Sequence, residues 1–568
     1  MRKLNFFVVF SLCTLATFLV LNTLNYPLIG IDDANIYFVY ARNFADGHGF
    51  VFNIGGERVE GFTSLLWTLI TAIAFKFFAY PELSLLIINI VLVSLGITYA
   101  LDYLQQLPSP AGPNQKMDRF WRALFLLILF TSPRYIVWNT ITLMENALWS
   151  TLLLMTTILV TRDYPSFKNI NYSFVPLSIL LLLTRPESIL WVVIFISVLF
   201  FRIVLQSNIT DALKTLAPSI VGIVLGSTLL TLFRLLYFGY PFPNTYYAKV
   251  SPSLAYNFEL GLLYLVRYFV SDPIVTISIT AVFLTGIVSL LRPAPKDQAF
   301  FLPFIAVIGL LMPLLTGGDH FGSFRFYQNV YPIIILSLVH SLTNIFRRVS
   351  ENSTRLAMSL KGRAVLFSGL SLLLVCGLSL SQARAWSQFA EEIAFEFKIA
   401  ASERRKGAFI QEVFSSLMSL PSVGVTAAGG IKYSYHGEII DLLGLNNTTM
   451  AHNHGDRTGY KSHAAFEVRT FYELQPQVVW PLMVNSQWQY SEANLKNGWE
   501  NTVGLKGLFD DPLFLELYKY AKIVKTSEPT GETAIVAWFR KDFLESLMTR
   551  DDLLIEEYEY DPQGINGS

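Results

Sequence analysis

The sequence predicts a mostly α-helical, polytopic membrane protein with an α/β domain at its C-terminal end. Three observations lead there. The 568 residues are 53% hydrophobic and only 15% charged, with a mean hydropathy of +0.45, whereas soluble domains carry roughly a quarter charged residues. Apolar runs near the length of a membrane crossing, about 20 residues, recur from the N-terminus to residue 382. From residue 384 the pattern turns to mixed polar and apolar sequence, about 180 residues long, which suits one domain. The 42 basic and 42 acidic residues balance, so no global field points to nucleic acid.

The apolar runs lie near 5–25, 62–79, 83–101, 122–139, 146–161, 173–184, 188–204, 215–236, 273–292, 299–316, 327–346 and 363–382. Met1-Arg2-Lys3 precedes the first, and no small-x-small cleavage site follows it. That run reads as a retained span starting in the cytoplasm. Lys116, Arg119 and Arg122 place the loop 102–121 in the cytoplasm. An odd number of crossings must therefore separate residues 26 and 102. The run "FTSLLWTLITAIAFKFFA", interrupted by Lys76, is assigned to the outer interface. Arg162 with Lys168, Arg202 with Lys214, Arg292 with Lys296, and the basic stretch from Arg347 to Arg363 then all fall inside. The expectation is about eleven spans, a transmembrane domain over 1–383 with a first external loop at 26–82, and an external domain over 384–568. The predicted location is the inner (cytoplasmic) membrane of a bacterium. Cys13 and Cys376 both sit in apolar runs and do not suggest a disulfide framework.

In the C-terminal region "WSQFAEEIAFEFKIAASERRKGAFIQEVFSSL" has helical periodicity. "SVGVTAAGG" reads as a strand entering a glycine turn, and "EIIDLLGL" as a second short strand. The tail "YDPQGINGS" reads as frayed.

This topology gathers five polar clusters on the outer face: "DDAN" (32–35), "LMEN" (143–146), "TRPE" (184–187), "YPFPNTYYAK" (240–249) and "GGDHFGSFRF" (317–326). Polar groups at membrane depth are costly and tend to be functional, so their convergence points to a cavity. Asp32 and Asp33 are the candidate catalytic residues. Desolvation and a like-charged neighbour raise a carboxyl pKa, making a usable general base. An aspartate here also suits helix capping. Capping is the more natural reading for Asp33, which would leave Asp32 freer, and the ranking stays open. Arg185, Lys249 and Arg325 end three different spans, and Arg42 and Arg58 flank the first loop. Cations from separate segments suit a phosphate, although span-end Lys and Arg also snorkel. Lys249, Arg325, Arg185 and Arg42 form the candidate donor-phosphate set. Glu145, Asn244, Tyr246, Tyr247, Asp319 and His320 are candidate substrate contacts, the tyrosines fitting an interfacial aromatic belt equally well.

The histidines lack zinc spacing, and no Walker A, GxGxxG or nucleophile-elbow pattern occurs. No cofactor is implied, and use of a divalent cation is left open. Outside a bacterial inner membrane there is no nucleotide supply, so a lipid-borne phosphate is the natural activated donor. Its transfer needs a base for the acceptor hydroxyl and stabilisation of the leaving charge.

The order of Asp32-Asp33, "YARNFADGHGFVFNIGGERVEGFTSLLW", "LMENALW", "LTRPES", "YFGYPFPNTYYAK", "GGDHFGSFRF" and "GEIIDLLGL" resembles the terminal β-(1→2)-arabinofuranosyltransferases of glycosyltransferase superfamily C, from about residue 28 to 450. The resemblance implies a GT-C-type membrane fold, a polyprenyl-phosphate-sugar donor, a catalytic aspartate at Asp32 or Asp33, and Lys249 and Arg325 near the donor phosphate. It also implies an external domain near a glycan or protein acceptor. The chain departs at Leu143-Met144-Glu145, where the family more often has Gly-Leu-Glu, and at His320, where an aromatic is expected. Another pentose or a hexose is the alternative sugar, and the stereochemical outcome is open. A transporter or flippase for a lipid-linked sugar and a non-catalytic glycan-binding scaffold are the other classes.

Overall fold

The computed structural model describes residues 2–106, 115–291, 300–355, 360–459, 461, 463–481, 492–526 and 534–559. Arg292, Lys296 and the tail 560–568, to which the sequence reading assigned a loop and a frayed end, lie outside the described residues.

The N-terminal two-thirds is helical. Four helices are long and apolar enough to cross a membrane: Lys3–Leu24, Pro81–Leu104, Ser188–Gln206 and Ile209–Phe238. Two further pairs qualify only if each is one bent span, Arg119–Phe130 with Pro133–Ile141 (70°) and Leu254–Ser271 with Pro273–Val282 (102°). Among the described residues the count is therefore four to six, against about eleven expected. Of the remaining expected spans, three fall on short apolar helices and two, 327–346 and 363–382, on the long helices Arg325–Arg355 and Leu360–Val413. Asn146–Thr161, Asn171–Thr184 and Phe301–Leu311 have 16, 14 and 11 residues, and at about 1.5 Å per residue each falls short of a hydrocarbon core of about 30 Å. Nearly every side chain of Asn146–Thr161 is buried by protein, so its apolar residues face neighbouring helices rather than lipid. The helix Leu65–Phe77, read as interfacial, has 13 residues. Ser64 caps it by accepting from Trp67 N at 3.1 Å, and Lys76 donates to Ala45 O at 3.0 Å.

One helix, Leu360–Val413, runs 54 residues through the boundary expected at 383/384 and into the C-terminal region. There a six-stranded mixed sheet forms from β1 (Val423–Val425), β2 (Ile439–Asp441), β3 (Val478–Val479), β4 (Tyr518–Lys525), β5 (Ala534–Arg540) and β6 (Leu553–Glu557), in the order β2-β1-β3-β5-β4-β6. β1 is parallel to β2 and β3, and the remaining pairs are antiparallel. The two strands read from sequence are β1 and β2. The glycines after β1 open a short helix, Gly429–Ser434, in place of the expected turn.

β5 reads "AIVAWFR" because both its faces are covered. Ile535, Ala537 and Phe539 join the core shared with the helices, which reaches back to Val9 and Cys13. Ala534, Val536 and Trp538 join a second core with Phe509 and Phe514. Membrane helices and sheet thus share continuous apolar packing, and the site lies where they meet.

Candidate active site

After the first span the chain turns at Gly30, whose φ is +70°; an added Cβ would lie 2.9 Å from Ala34 Cβ and 3.0 Å from Thr142 O. The turn admits the helix Asp32–Ala45, capped at Ile31 without any side-chain hydrogen bond. Both aspartates stand in its first turn, where the helix dipole favours negative charge.

Their side chains part. Asp32 Oδ1 accepts from Gly430 N at 2.7 Å and Oδ2 from Gly429 N at 3.0 Å. The approach is close enough to require glycine, since a Cβ on Gly429 would sit 2.0 Å from Asp32 O. Burial pushes the Asp32 carboxyl up to about 7, helped by Glu403 and Asp33 and opposed by the two amides. Of the ranking left open, the structure does not leave Asp32 the freer group: backbone amides of the C-terminal region hold Asp32, while Asp33 meets the side chains of Lys249 and Arg325.

Asp33 Oδ2 lies 3.4 Å from Lys249 Nζ and 3.9 Å from Arg325 Nη1. Burial raises its pKa, but Lys249 and Arg325 outweigh that and hold it below the usual carboxylate range. Arg325 is itself fixed, its Nε 2.5 Å from Asp319 Oδ2 and its guanidinium 4.4 Å above the Phe321 ring. Against the penalty of burial, Arg325 and His320 keep Asp319 far below the usual range. His320 donates its backbone N–H to Asp319 at 2.9 Å, and its ring meets that of His463 edge-on at 4.4 Å. Burial holds the His320 imidazole below its ordinary pKa despite Asp319.

Two cavities meet at this point. The larger, about 470 Å³, is walled by Ile189, Leu190, Phe242, Leu254 and Leu315 and also takes in Arg185, Lys249, Arg325 and Lys461. The other, about 310 Å³, lies under the C-terminal region and is lined by Glu396, Thr426, Asp441, His463 and Trp499. Asp33, Ile36, Lys249 and Leu445 line both, while Asp32 lines only the second. Burial, together with Asp33 and Asp32, pushes Glu396 up to about 8. Burial raises Asp441 to about 6 although Asn446 and Leu443 donate to it.

The sequence candidates divide accordingly. Asp33, Lys249, Arg325, Asp319, His320, Arg185 and Tyr246 line one or both cavities. Arg185 is held between Glu145 and Glu187 and lies over Trp149, so its charge is already opposed. Glu145 is fully buried in that pairing and lines neither cavity. Arg42 is not brought to the site: ten residues along the same helix, or about 15 Å, it donates to Tyr433 O at 3.0 Å. Asn244 clamps the chain after β2 by donating to Gly444 O at 2.7 Å and Leu445 O at 3.1 Å, and Tyr247 packs on His452.

Lys461 and Trp499 went unread, because each lies in polar sequence where nothing local distinguishes it, whereas Glu396 stood in a stretch read only as helix and His463 was weighed only for zinc spacing. Asp441 stood in a quoted motif, "EIIDLLGL", but was read only as strand. Among the described residues no group of three or more His, Cys, Asp or Glu side chains is placed to hold a metal ion.

No family model matches the chain, and no curated protein matches it. Solved structures do. ArnT from Cupriavidus metallidurans bound to undecaprenyl phosphate is 11% identical, with 76% of this chain and 85% of that one covered, at a TM-score of 0.46. The oligosaccharyltransferase AglB from Archaeoglobus fulgidus, in complex with an inhibitory peptide and a dolichol-phosphate, is 10% identical over 95% and 77%, at 0.48. The Archaeoglobus fulgidus oligosaccharyltransferase in its apo form is 11% identical over 91% and 73%, also at 0.48. At such identity the chemistry is read from this chain's own side chains.

Proposed function

We propose that this protein is a glycosyltransferase that moves a sugar from a polyprenyl-phosphate donor to a glycan or protein acceptor outside the cytoplasmic membrane. One observation carries the reading: Asp33 and Lys249 line both an apolar-walled cavity with cations and a second cavity under the C-terminal domain. A lipid-linked donor needs the first kind of surface and a polar acceptor the second, with reacting groups at the junction.

In this reading the acceptor enters from the second cavity. Its hydroxyl oxygen attacks the anomeric carbon, its proton passes to the Asp33 carboxylate, and the bond from that carbon to the phosphate oxygen breaks. Lys249 and Arg325 take up the leaving phosphate charge. While they face Asp33 alone they weaken it as a base. A bound phosphate neutralises them and adds its own negative charge, which raises the Asp33 pKa. Asp32 acts as a positioning residue, tying the helix that carries Asp33 to the C-terminal domain. The sugar favoured by the motif order is arabinofuranose.

The test is a transfer assay with purified full-length protein, a polyprenyl-phosphate arabinofuranose donor and a synthetic glycan acceptor, reading free polyprenyl phosphate and extended glycan together. Formation of both supports the proposal. Movement of intact donor across a vesicle bilayer with no product would favour the flippase and overturn it.

A further inference from the structure

Arg325 is reached through a turn whose two left-handed positions are not glycines. Gly322 is followed by Ser323 and Phe324, whose φ values of +56° and +53° lie in a region that side chains seldom adopt. Two such residues in succession persist only where their surroundings over-determine them. Here the peptide is fixed from three sides. Trp138 Nε1 donates to Gly322 O at 3.2 Å, Gln328 Nε2 donates to Ser323 O at 3.1 Å, and the Ser323 hydroxyl donates to Glu392 Oε2 at 2.6 Å. A Cβ on Gly322 would lie 2.2 Å from Glu392 O, so the turn is pressed against the helix Leu360–Val413.

Glu392 is held in its turn by Arg134, a cation within the apolar run 122–139 that is only 3% exposed. A charge so placed is costly unless it is paired. Its guanidinium donates to both carboxylate oxygens, Nε to Oε2 at 3.1 Å and Nη2 to Oε1 at 2.6 Å, a two-pronged geometry that fixes direction as well as charge. The remaining donors reach Gln388 Oε1 at 3.2 Å and Ser271 Oγ at 3.3 Å, and its Cζ lies 5.5 Å from the centre of the Phe324 ring. Arg134, Glu392 and the turn are thus one network drawn from three distant segments. Directly after it comes Arg325, which opens the helix Arg325–Arg355 with Nη1 3.9 Å from Asp33 Oδ2. The turn sets where that guanidinium points, and a misplacement of about 1 Å at a reacting site can cost about 100-fold.

We propose that Glu392 is a positioning residue for Arg325: clamped by Arg134, it holds Ser323 and Phe324 in the left-handed turn that aims the Arg325 guanidinium at the donor phosphate. The inference rests on the transferase reading and adds to it the device that places one of the two cations. Arg134 and Glu392 line neither cavity, so they act through Arg325 and not on the lipid itself. A purely structural tie would affect every part of the lipid alike. A positioning role makes recognition of the phosphate in particular depend on a carboxylate outside the cavity.

The experiment measures binding of undecaprenyl phosphate and of undecaprenol, which lacks the phosphate, to the full-length protein in detergent by native mass spectrometry. The ratio of the two affinities isolates the phosphate contact, because a general loss of folding lowers both. The wild type should favour the phosphate. Glu392→Gln should lower the ratio about tenfold, the worth of one charge-assisted hydrogen bond, and Arg325→Ala should do the same. Glu391→Gln, at an exposed neighbouring position, should leave it unchanged. Glycine accepts a positive φ without strain, so adding Ser323→Gly to Glu392→Gln should restore most of the ratio. A ratio that survives Glu392→Gln overturns the inference, and if it falls in Arg325→Ala the donor reading stands without it. A glycine that restores nothing overturns it as well. A wild type that binds both lipids equally sinks the inference and the donor reading together. Binding is read without transfer: a protein that shows the expected pattern yet extends no glycan loses the transferase and keeps the positioning role.

Discussion

Two adjacent aspartates share one helical turn yet have opposite surroundings, and their behaviour should differ in kind. Asp33→Asn removes the carboxylate at the junction of the cavities and should lower kcat about 100-fold or more while folding is kept; near-normal turnover would end the base assignment. The pH profile adds an independent check. In the free protein Asp33 is held below the usual carboxylate range, and phosphate binding should raise it. The acidic limb of kcat, which reports the bound complex, should therefore lie at higher pH than that of kcat/KM.

Asp32 follows the opposite sign. Its carboxyl sits at about 7 in the fold against about 3.9 unfolded. The fold thus keeps a proton that the unfolded chain has lost, and this contribution is present below about pH 4 and gone once the pH has risen through about 7. Thermal stability of the wild type should fall over that window relative to Asp32→Asn; parallel curves would contradict it. The assignment of free and held aspartate was illegible in "DDAN", because the amides that hold Asp32 come from Gly429 and Gly430, almost 400 positions later.

Among secondary-structure elements, the loop between Asp32–Ala45 and Leu65–Phe77 is fastened to the long helix Ile209–Phe238 by an ion pair: Arg234 Nε lies 2.9 Å from Glu60 Oε2, with side chains 7% and 2% exposed. Removing one partner of such a pair leaves an uncompensated buried charge. Glu60→Ala should destabilise the protein by about 3–5 kcal/mol, and Glu60→Ala with Arg234→Met should recover much of that in a thermal melt. If the double variant is no better than the single, the pair is not what the loop depends on. Helices were legible as apolar runs, and β1 and β2 as short apolar strands beside glycine. Which of the shorter apolar runs cross is not legible there, because a stretch of 14 or 16 residues looks alike whether lipid or protein covers it, and Asn146–Thr161 is covered by protein.

Across the complete chain, the arrangement requires the loop carrying Asp32 and Asp33 to lie on the same side of the membrane as the sheet. Single cysteines placed at Asn53 and at Met418 should both react with an impermeant maleimide in intact cells, while one at Lys214 should not. Labelling of Asn53 and Met418 from opposite sides would separate the two halves of the site. Contacts between that loop and the C-terminal strands make the same demand, since Asn53 exchanges hydrogen bonds with the backbone of Ile439 at 2.9 and 3.0 Å.

Composition and periodicity suffice for a helical membrane protein with a C-terminal α/β region, because transfer from water to hydrocarbon acts on each segment by its own chemistry. The same local chemistry marked Asp33, Lys249 and Arg325 as costly residues near lipid. Only the folded chain distinguishes Asp33 from Asp32, leaves Arg42 elsewhere, and brings Glu396, Asp441 and Trp499 from distant segments to the second cavity. Those outcomes depend on distances between residues far apart along the chain, which packing decides and no short window of sequence contains.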